Sequence, residues 1–223
     1  MPPALRAVLF DLDGTLLDTA PDMVGALNVL RAEEGLAPKP YGEVRAAVSH
    51  GSKRVLQVGF PTASDDAIAA FQKRFLDIYR GALCRETRYF PGMEQVLGVL
   101  DEWGLKSGIV TNKPAWLTDP LLEELGVRQR FACVVSGDSV ARCKPHPLPL
   151  LHAAALAGIP AGQCIYVGDA QRDVQAAHAA HMPALVANYG YLGAGEDSAL
   201  WGADGYLQKP SDLLDWLGAS GRL

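Results

Sequence analysis

The run Leu5-Arg6-Ala7-Val8-Leu9-Phe10 breaks into Asp11-Leu12-Asp13-Gly14-Thr15, and this junction decides how the rest of the chain is read. Ala4 to Phe10 has the length and apolar content of a short buried strand, and the acidic, glycine-containing turn behind it closes that strand. In an extended segment alternate side chains share a face, so Asp11 and Asp13 project together from the strand's carboxyl end while Leu12 points away. Gly14 supplies the backbone freedom for the turn. Two neighbouring carboxylates repel, and they stay together only if a cation joins them or one keeps its proton. Either outcome is useful chemistry: a metal site, or a nucleophile beside a general acid. By spacing alone the pair reads equally well as two solvated turn acids, so the rest of the chain must decide.

Further runs with strand character are Leu105 to Thr111, Phe131 to Ser136, Gln163 to Gly168, Ala184 to Ala187 and Gly205 to Leu207, and most are separated by segments long enough for a helix. This alternation predicts an α/β fold, a Rossmann-like parallel sheet with helices over both faces. Met93, Val96, Leu97, Leu100 and Trp103 recur at helical spacing after Pro91 and read as a core-facing stripe. Between Ala20 and Arg85 no convincing strand appears. There Ile68, Phe71, Phe75 and Ile78 share a helix face behind Ser64-Asp65-Asp66, an N-cap signature. The expected organisation is a catalytic core from residues 1–15 and 87–223, with an all-helical cap domain, 16–86, inserted after the first strand. Gly190 to Gly195 reads as a surface loop.

With 223 residues, 49% of them hydrophobic and 20% charged, the chain can bury one substantial core. Lys and Arg number 20 against 25 Asp and Glu, a formal charge of −5, so no basic stripe is available for nucleic acid or an anionic membrane. An anionic ligand must be held by a local cluster or a metal. Cys84, Cys133, Cys143 and Cys164 form no C-x-x-C pair and no ligand spacing with the five histidines, which argues for reduced thiols and against a zinc site. No run approaches the ~20 apolar residues of a membrane span. A cytoplasmic protein, monomeric or weakly dimeric, is expected.

The ends of the other strand candidates shift the balance toward chemistry. Leu105 to Thr111 runs into Asn112-Lys113-Pro114, bringing a hydroxyl and turn amides to the same sheet edge, although Thr111 reads equally well as a helix N-cap. Lys144 follows the third strand and precedes Pro145. The fourth strand ends in Gly168-Asp169, with Asp173 one helical turn later. Taken singly each feature is ordinary. Carboxylates, a hydroxyl and an ammonium gathered at one edge suit phosphoryl transfer, where a hard cation such as Mg²⁺ takes oxygen ligands and positive groups neutralise the phosphoryl oxygens.

In order and spacing these residues resemble the four motifs of the haloacid dehalogenase superfamily: Asp11-Leu12-Asp13-Gly14-Thr15, then Thr111, then Lys144-Pro145, then Gly168-Asp169 with Asp173. The resemblance covers essentially the whole chain. Asp11 to Asp22 and Thr111 to Pro114 look most like its phosphoglycolate phosphatase branch, while Tyr189 to Tyr191 and Trp201 to Asp204 are similar to the related N-acetylmuramic acid 6-phosphate phosphatases. The resemblance implies that Asp11 is the nucleophile and becomes an aspartyl phosphate, and that Asp13 protonates the leaving alkoxide and then activates water. It implies Mg²⁺ held by Asp11, the Asp13 carbonyl and Asp169, with Asp173 acting directly or behind those ligands. Thr111, Lys144 and the amides near Leu12 and Asn112 would bind the phosphoryl oxygens. Ala170 stands where some relatives carry an acid or a hydroxyl.

Dehalogenases of the superfamily lack the second acid, and its sugar phosphomutases usually carry Val or Ile at the position of Thr15, so a phosphatase acting on a small phosphorylated metabolite is favoured. A receiver-like signalling module phosphorylated on Asp11 is the alternative from another class. Within the cap segment, Ser49, Gly51, Lys53 and Arg54 are the candidates for selecting the substrate, with Arg45 and the Tyr189 to Trp201 loop next.

Overall fold

The computed structural model describes residues 4–221. The strands are β1 (Ala7–Phe10), β2 (Leu17–Asp18), β3 (Arg88–Tyr89), β4 (Lys106–Val110), β5 (Cys133–Val135), β6 (Cys164–Gly168), β7 (Ala184–Ala187) and β8 (Gly205–Leu207). The helices are α1 (Ala20–Glu33), α2 (Tyr41–Val44), α3 (Ser52–Gly59), α4 (Asp65–Arg80), α5 (Met93–Glu102), α6 (Ala115–Glu124), α7 (Leu148–Ala157), α8 (Gln171–Ala179) and α9 (Asp212–Ala219). Six strands form one parallel sheet in the order β5-β4-β1-β6-β7-β8. Each of its strands falls inside a run with strand character in the sequence. No helix of the described residues is long and apolar enough to cross a membrane.

Alternation along the strands builds a core on each face of the sheet. Val8 and Phe10 of β1, with Ile165 and Val167 of β6, join one apolar cluster, while Ala7, Leu9, Cys164 and Tyr166 join the other. The first cluster continues without a break into the helical insertion through Met23, Leu27, Leu56 and Phe75. The helices α1 to α4 are thus packed onto the sheet domain by the same apolar surface that fills its core.

The insertion leaves and returns through adjacent chains. β2 and β3 pair antiparallel, Leu17 with Tyr89 and Asp18 with Arg88. The Asp22 carboxylate in the first turn of α1 accepts hydrogen bonds from the amides of Glu86 and Thr87, each at 2.9 Å, and from the Thr87 hydroxyl at 2.7 Å. These two-residue strands were not legible in the sequence, because neither is long enough to show an alternating pattern. Helix α4 begins as its sequence suggests, with the Ser64 hydroxyl accepting from the Ala67 amide. Trp103 corrects the α5 stripe. The helix ends at Glu102, and the indole just beyond it is 43% exposed while Met93, Val96, Leu97 and Leu100 are buried.

Candidate active site

From β1 the chain crosses to β4 and β5 on one side and returns to β6, β7 and β8 on the other, so the carboxyl ends of β1, β4 and β6 open at the switch point where such sheets bind ligands. Asp11, Thr111 and Asp169 each follow one of these strands directly. The Asp11 amide donates to Val167 of β6 and the Thr111 amide to Val135 of β5, so the sheet ladder itself fixes both positions.

Lys144 ties these ends together. Its ammonium lies 2.9 Å from Asp11 Oδ1 and 2.8 Å from Asp173 Oδ1, and it donates to the Val110 carbonyl and the Tyr166 hydroxyl. The Asn112 side chain clamps the Lys144 backbone, accepting from its amide and donating to its carbonyl, both at 3.0 Å. Asn112 thereby holds the lysine as well as presenting its turn to the cavity. Thr111 does not cap α6, which starts after Pro114. Its hydroxyl accepts from the Lys113 amide at the cavity wall. The Leu12 amide is turned onto Asp11 Oδ1 at 2.7 Å.

Asp11, Asp169 and Asp173 form a buried carboxylate trio whose nearest oxygens all lie within 4.8 Å of one another. Asp169 accepts on Oδ2 from the Tyr191 amide and the Ser49 hydroxyl, whereas its buried Oδ1 has no hydrogen-bond partner. Burial, with Asp11 and Asp173 adding repulsion, pushes the Asp169 carboxyl up to about 7. Burial also raises Asp11, outweighing the attraction of Lys144. An all-oxygen donor set with a buried, unsatisfied oxygen fits a hard divalent cation such as Mg²⁺.

Asp13 stands apart from the trio. Its Oδ1 lies 3.1 Å from the Lys113 ammonium and accepts from the Thr19 hydroxyl at 2.6 Å. Lys113 also meets the Tyr79 hydroxyl of α4 at 2.9 Å. Burial disfavours the charge on Lys113, but Asp13 and Tyr79 more than offset it and hold its pKa above the ordinary lysine value. Two carboxylates two residues apart therefore occupy different electrostatic surroundings.

Gly14 and Gly190 permit this packing. Gly14 has φ +82°, and a Cβ there would come 2.1 Å from Asp169 Oδ2. One on Gly190 would come 2.3 Å from the Gly14 carbonyl oxygen. The Gly190 to Gly195 segment is consequently no simple surface loop. Gly190 and Tyr191 are buried against the trio, and the Tyr191 hydroxyl bridges Asp18 and the Ala20 amide.

A cavity of about 420 Å³ lies between this edge and the insertion. Asp11, Asp13, Thr111, Asn112, Lys113 and Arg172 line it from the sheet side, and Ser49, His50, Gly51, Ser52, Gln72 and Tyr79 from the helical side. Of the candidate selecting residues, Ser49 and Gly51 face the cavity, while Lys53 and Arg54 do not. In α3 the inward face is Val55, Leu56 and Gly59, leaving both cations exposed, with Lys53 3.4 Å from the exposed Asp65. Arg45 fastens the insertion elsewhere, donating to the Tyr189 carbonyl and lying 4.8 Å from the Tyr191 ring centroid. Lys113, Tyr79 and Arg172 were not singled out from sequence. Lys113 lies between Asn112 and Pro114 and Arg172 immediately before Asp173, whereas Tyr79 is announced by nothing but its place on an amphipathic helix.

Residues 8–187, which span this α/β core and its helical insertion, match the model of the haloacid dehalogenase-like hydrolases. The chain belongs to that family, and within it to the phosphatases. It is 45% identical to the phosphoglycolate phosphatase of Xanthomonas campestris pv. campestris, over 94% of this chain and 95% of that one. It is 36% identical to the N-acetylmuramic acid 6-phosphate phosphatase of Pseudomonas aeruginosa, over 96% and 95% respectively. The crystal structure of a predicted phosphoglycolate phosphatase from Haemophilus somnus superposes with a TM-score of 0.83 at 27% identity, covering 95% of this chain and 97% of that one. Family membership sets aside the receiver-like alternative.

Proposed function

We propose that this phosphatase hydrolyses the phosphate monoester of a small acid, of the phosphoglycolate type, by transferring the phosphoryl group to Asp11. The observation that carries the reading is the division of labour between the two motif acids: Asp11 sits in the carboxylate trio with Lys144, and Asp13 sits outside it with Lys113 and Thr19. Such a split of surroundings is what assigns one carboxylate as nucleophile and the other as acid and base. Asp11, the Asp13 carbonyl and Asp169 would hold Mg²⁺, with Asp173 directly or behind them. Bound there, the ion would supply charge neutralisation for the phosphoryl oxygens.

In the first half-reaction a carboxylate oxygen of Asp11 attacks phosphorus, the ester P–O bond breaks, and Asp13 gives its proton to the departing alkoxide. In the second, Asp13 takes a proton from water as the water oxygen attacks phosphorus, and the Asp11 carboxylate leaves. Lys144, the Thr111 hydroxyl and the turn amides of Leu12 and Asn112 bind the phosphoryl oxygens throughout. The helical segment 16–86 acts as the cap that excludes water until the leaving group departs. The protein is taken to work in the cytoplasm as a monomer or weak homodimer, with no nucleic-acid or membrane partner.

Phosphate release across a panel of phosphorylated metabolites tests the reading, with Asp11→Asn as control. Phosphoglycolate should rank at or near the top, and the Asp11 variant should be inactive on every ester. A panel without turnover, or a variant that retains it, would refute the proposal. A second reading, N-acetylmuramic acid 6-phosphate, is favoured by the cavity itself, which is roomier than a two-carbon acid requires and carries the apolar side chains Met23, Val48, Leu76 and Leu117. The same panel decides between them.

A further inference from the structure

Lys113, Lys144 and Arg172 are permanent cations at the sheet edge, and the two lysines pair with carboxylates of the protein. Lys144 pairs with Asp11 and Asp173, and Lys113 pairs with Asp13 and meets Tyr79. Arg172 is different. It lies in the first turn of α8 and lines the cavity, and among the described residues no carboxylate forms an ion pair with it. Its hydrogen bond within the protein runs from Nη2 to the Ser49 carbonyl of the insertion. A guanidinium carries five N–H donors in a planar fork, so most of its donor capacity is unused beside the space that a substrate must enter. Burial opposes its charge, but the attraction of Asp173, Asp11 and Asp169 outweighs burial and holds Arg172 above the ordinary arginine value.

We propose that Arg172 binds a carboxylate on the leaving group of the substrate and is the specificity-determining residue of the site. The proposal rests on the phosphatase reading above and deepens it. On that reading the phosphoryl group would be bound by Thr111, the turn amides and Lys144, which would reach it from beside Asp11. A second anion on the same molecule needs a separate cation, and a planar fork accommodates a carboxylate in two parallel hydrogen bonds. Lys53 and Arg54 point to solvent, leaving Arg172 as the guanidinium of the cavity wall. Selection then arises in the core, from the residue just before Asp173, with the cap contributing the Ser49 carbonyl that orients it.

The test uses the magnesium-loaded full chain and two matched pairs of esters that differ by a carboxylate. Phosphoglycolate is paired with ethyl phosphate, and N-acetylmuramic acid 6-phosphate with N-acetylglucosamine 6-phosphate. The readout is the ratio of kcat/KM within each pair, measured for wild type, Arg172→Lys and Arg172→Gln. In the pair that wild type discriminates, Arg172→Gln should shrink the ratio about 10- to 100-fold, mainly through KM, and Arg172→Lys should restore part of it. Which pair responds identifies the source of the carboxylate. Ratios that stay the same in all three proteins overturn the proposal and leave the phosphatase reading standing, as does an equal fall for both members of each pair, which marks Arg172 as a cap support. A wild type that hydrolyses none of the four esters overturns the phosphatase reading and this proposal with it.

Discussion

Replacing Lys144 with Met keeps most of the apolar stem and removes a charge that touches two members of the carboxylate trio. Asp11 and Asp173 lose a partner held at 2.9 and 2.8 Å respectively, in a site where both acids are buried. Removing one partner of a buried ion pair costs about 3–5 kcal/mol, because the other charge stays behind uncompensated. For a chain of this size that loss lowers Tm by roughly 6–20 °C. The sign with pH follows from Asp11, whose carboxyl is already raised by burial with Lys144 present. Without the lysine it rises further, so the folded variant binds protons more readily than its unfolded chain and loses stability as pH rises through that window. Thermal unfolding of wild type and Lys144→Met in chelator should therefore show the largest gap near neutral pH and a shrinking gap toward pH 5. Saturating Mg²⁺ should narrow the neutral-pH gap, since the divalent charge takes over part of the compensation. A variant that melts within roughly 2 °C of wild type at neutral pH in chelator, or a gap that widens on acidification, would show that Lys144 does not neutralise the trio.

Asp11→Asn should abolish turnover and leave the fold intact, raising Tm slightly in chelator because a buried acid that resists ionisation is replaced by a neutral group; calorimetry and phosphate release check both halves. Asp13→Asn should slow hydrolysis of alkyl phosphates far more than formation of the acyl phosphate from an aryl phosphate with an acidic phenol, and equal losses in a burst experiment would remove Asp13 as the acid. Mg²⁺ binding, followed by titration calorimetry, should weaken about tenfold per pH unit below about 7, where Asp169 must first release its proton, and level off above it; a flat profile from pH 5 to 8 contradicts the assignment of Asp169. Lys53→Ala and Arg54→Ala should each change kcat/KM by less than about twofold for phosphoglycolate, since surface cations of this kind contribute little.

The sheet was legible because its strands are apolar runs with acids, hydroxyls and glycine at their ends, a pattern that burial on both faces imposes. The carboxyl-edge residues were legible for the same reason: Asp11, Thr111 and Asp169 occupy the first position after a strand, where sequence order maps directly onto place. Residues acting across the cavity were harder to see. Lys53 and Arg54 looked like binding cations from their composition beside Gly51, yet the rotation of α3 about its axis, set by Val55 and Leu56 seeking the core, turns them outward. Tyr79 reaches Lys113 only through the packing of α4 on the sheet domain, a distance of 34 residues along the chain that no local pattern encodes. Gly190 looks like a loop glycine in the sequence because its tight neighbours, Gly14 and Asp169, are likewise remote along the chain.

The short β2–β3 ribbon has a consequence for how such a chain can change over time. Because Asp18 and Arg88 are paired across neighbouring strands, about 5 Å apart as in any antiparallel pair, the sheet sees everything between them as the loop of one hairpin. Loop length enters the closure entropy only logarithmically, so a change in the length of the helical segment costs the strand order little, provided that the apolar contacts of Met23, Leu27, Leu56 and Phe75 are kept. The sheet edge and the helical segment can then change at different rates within one polypeptide. Arg172, carried by α8 on the sheet side yet hydrogen-bonded to Ser49 of the insertion, is where the two parts have to agree.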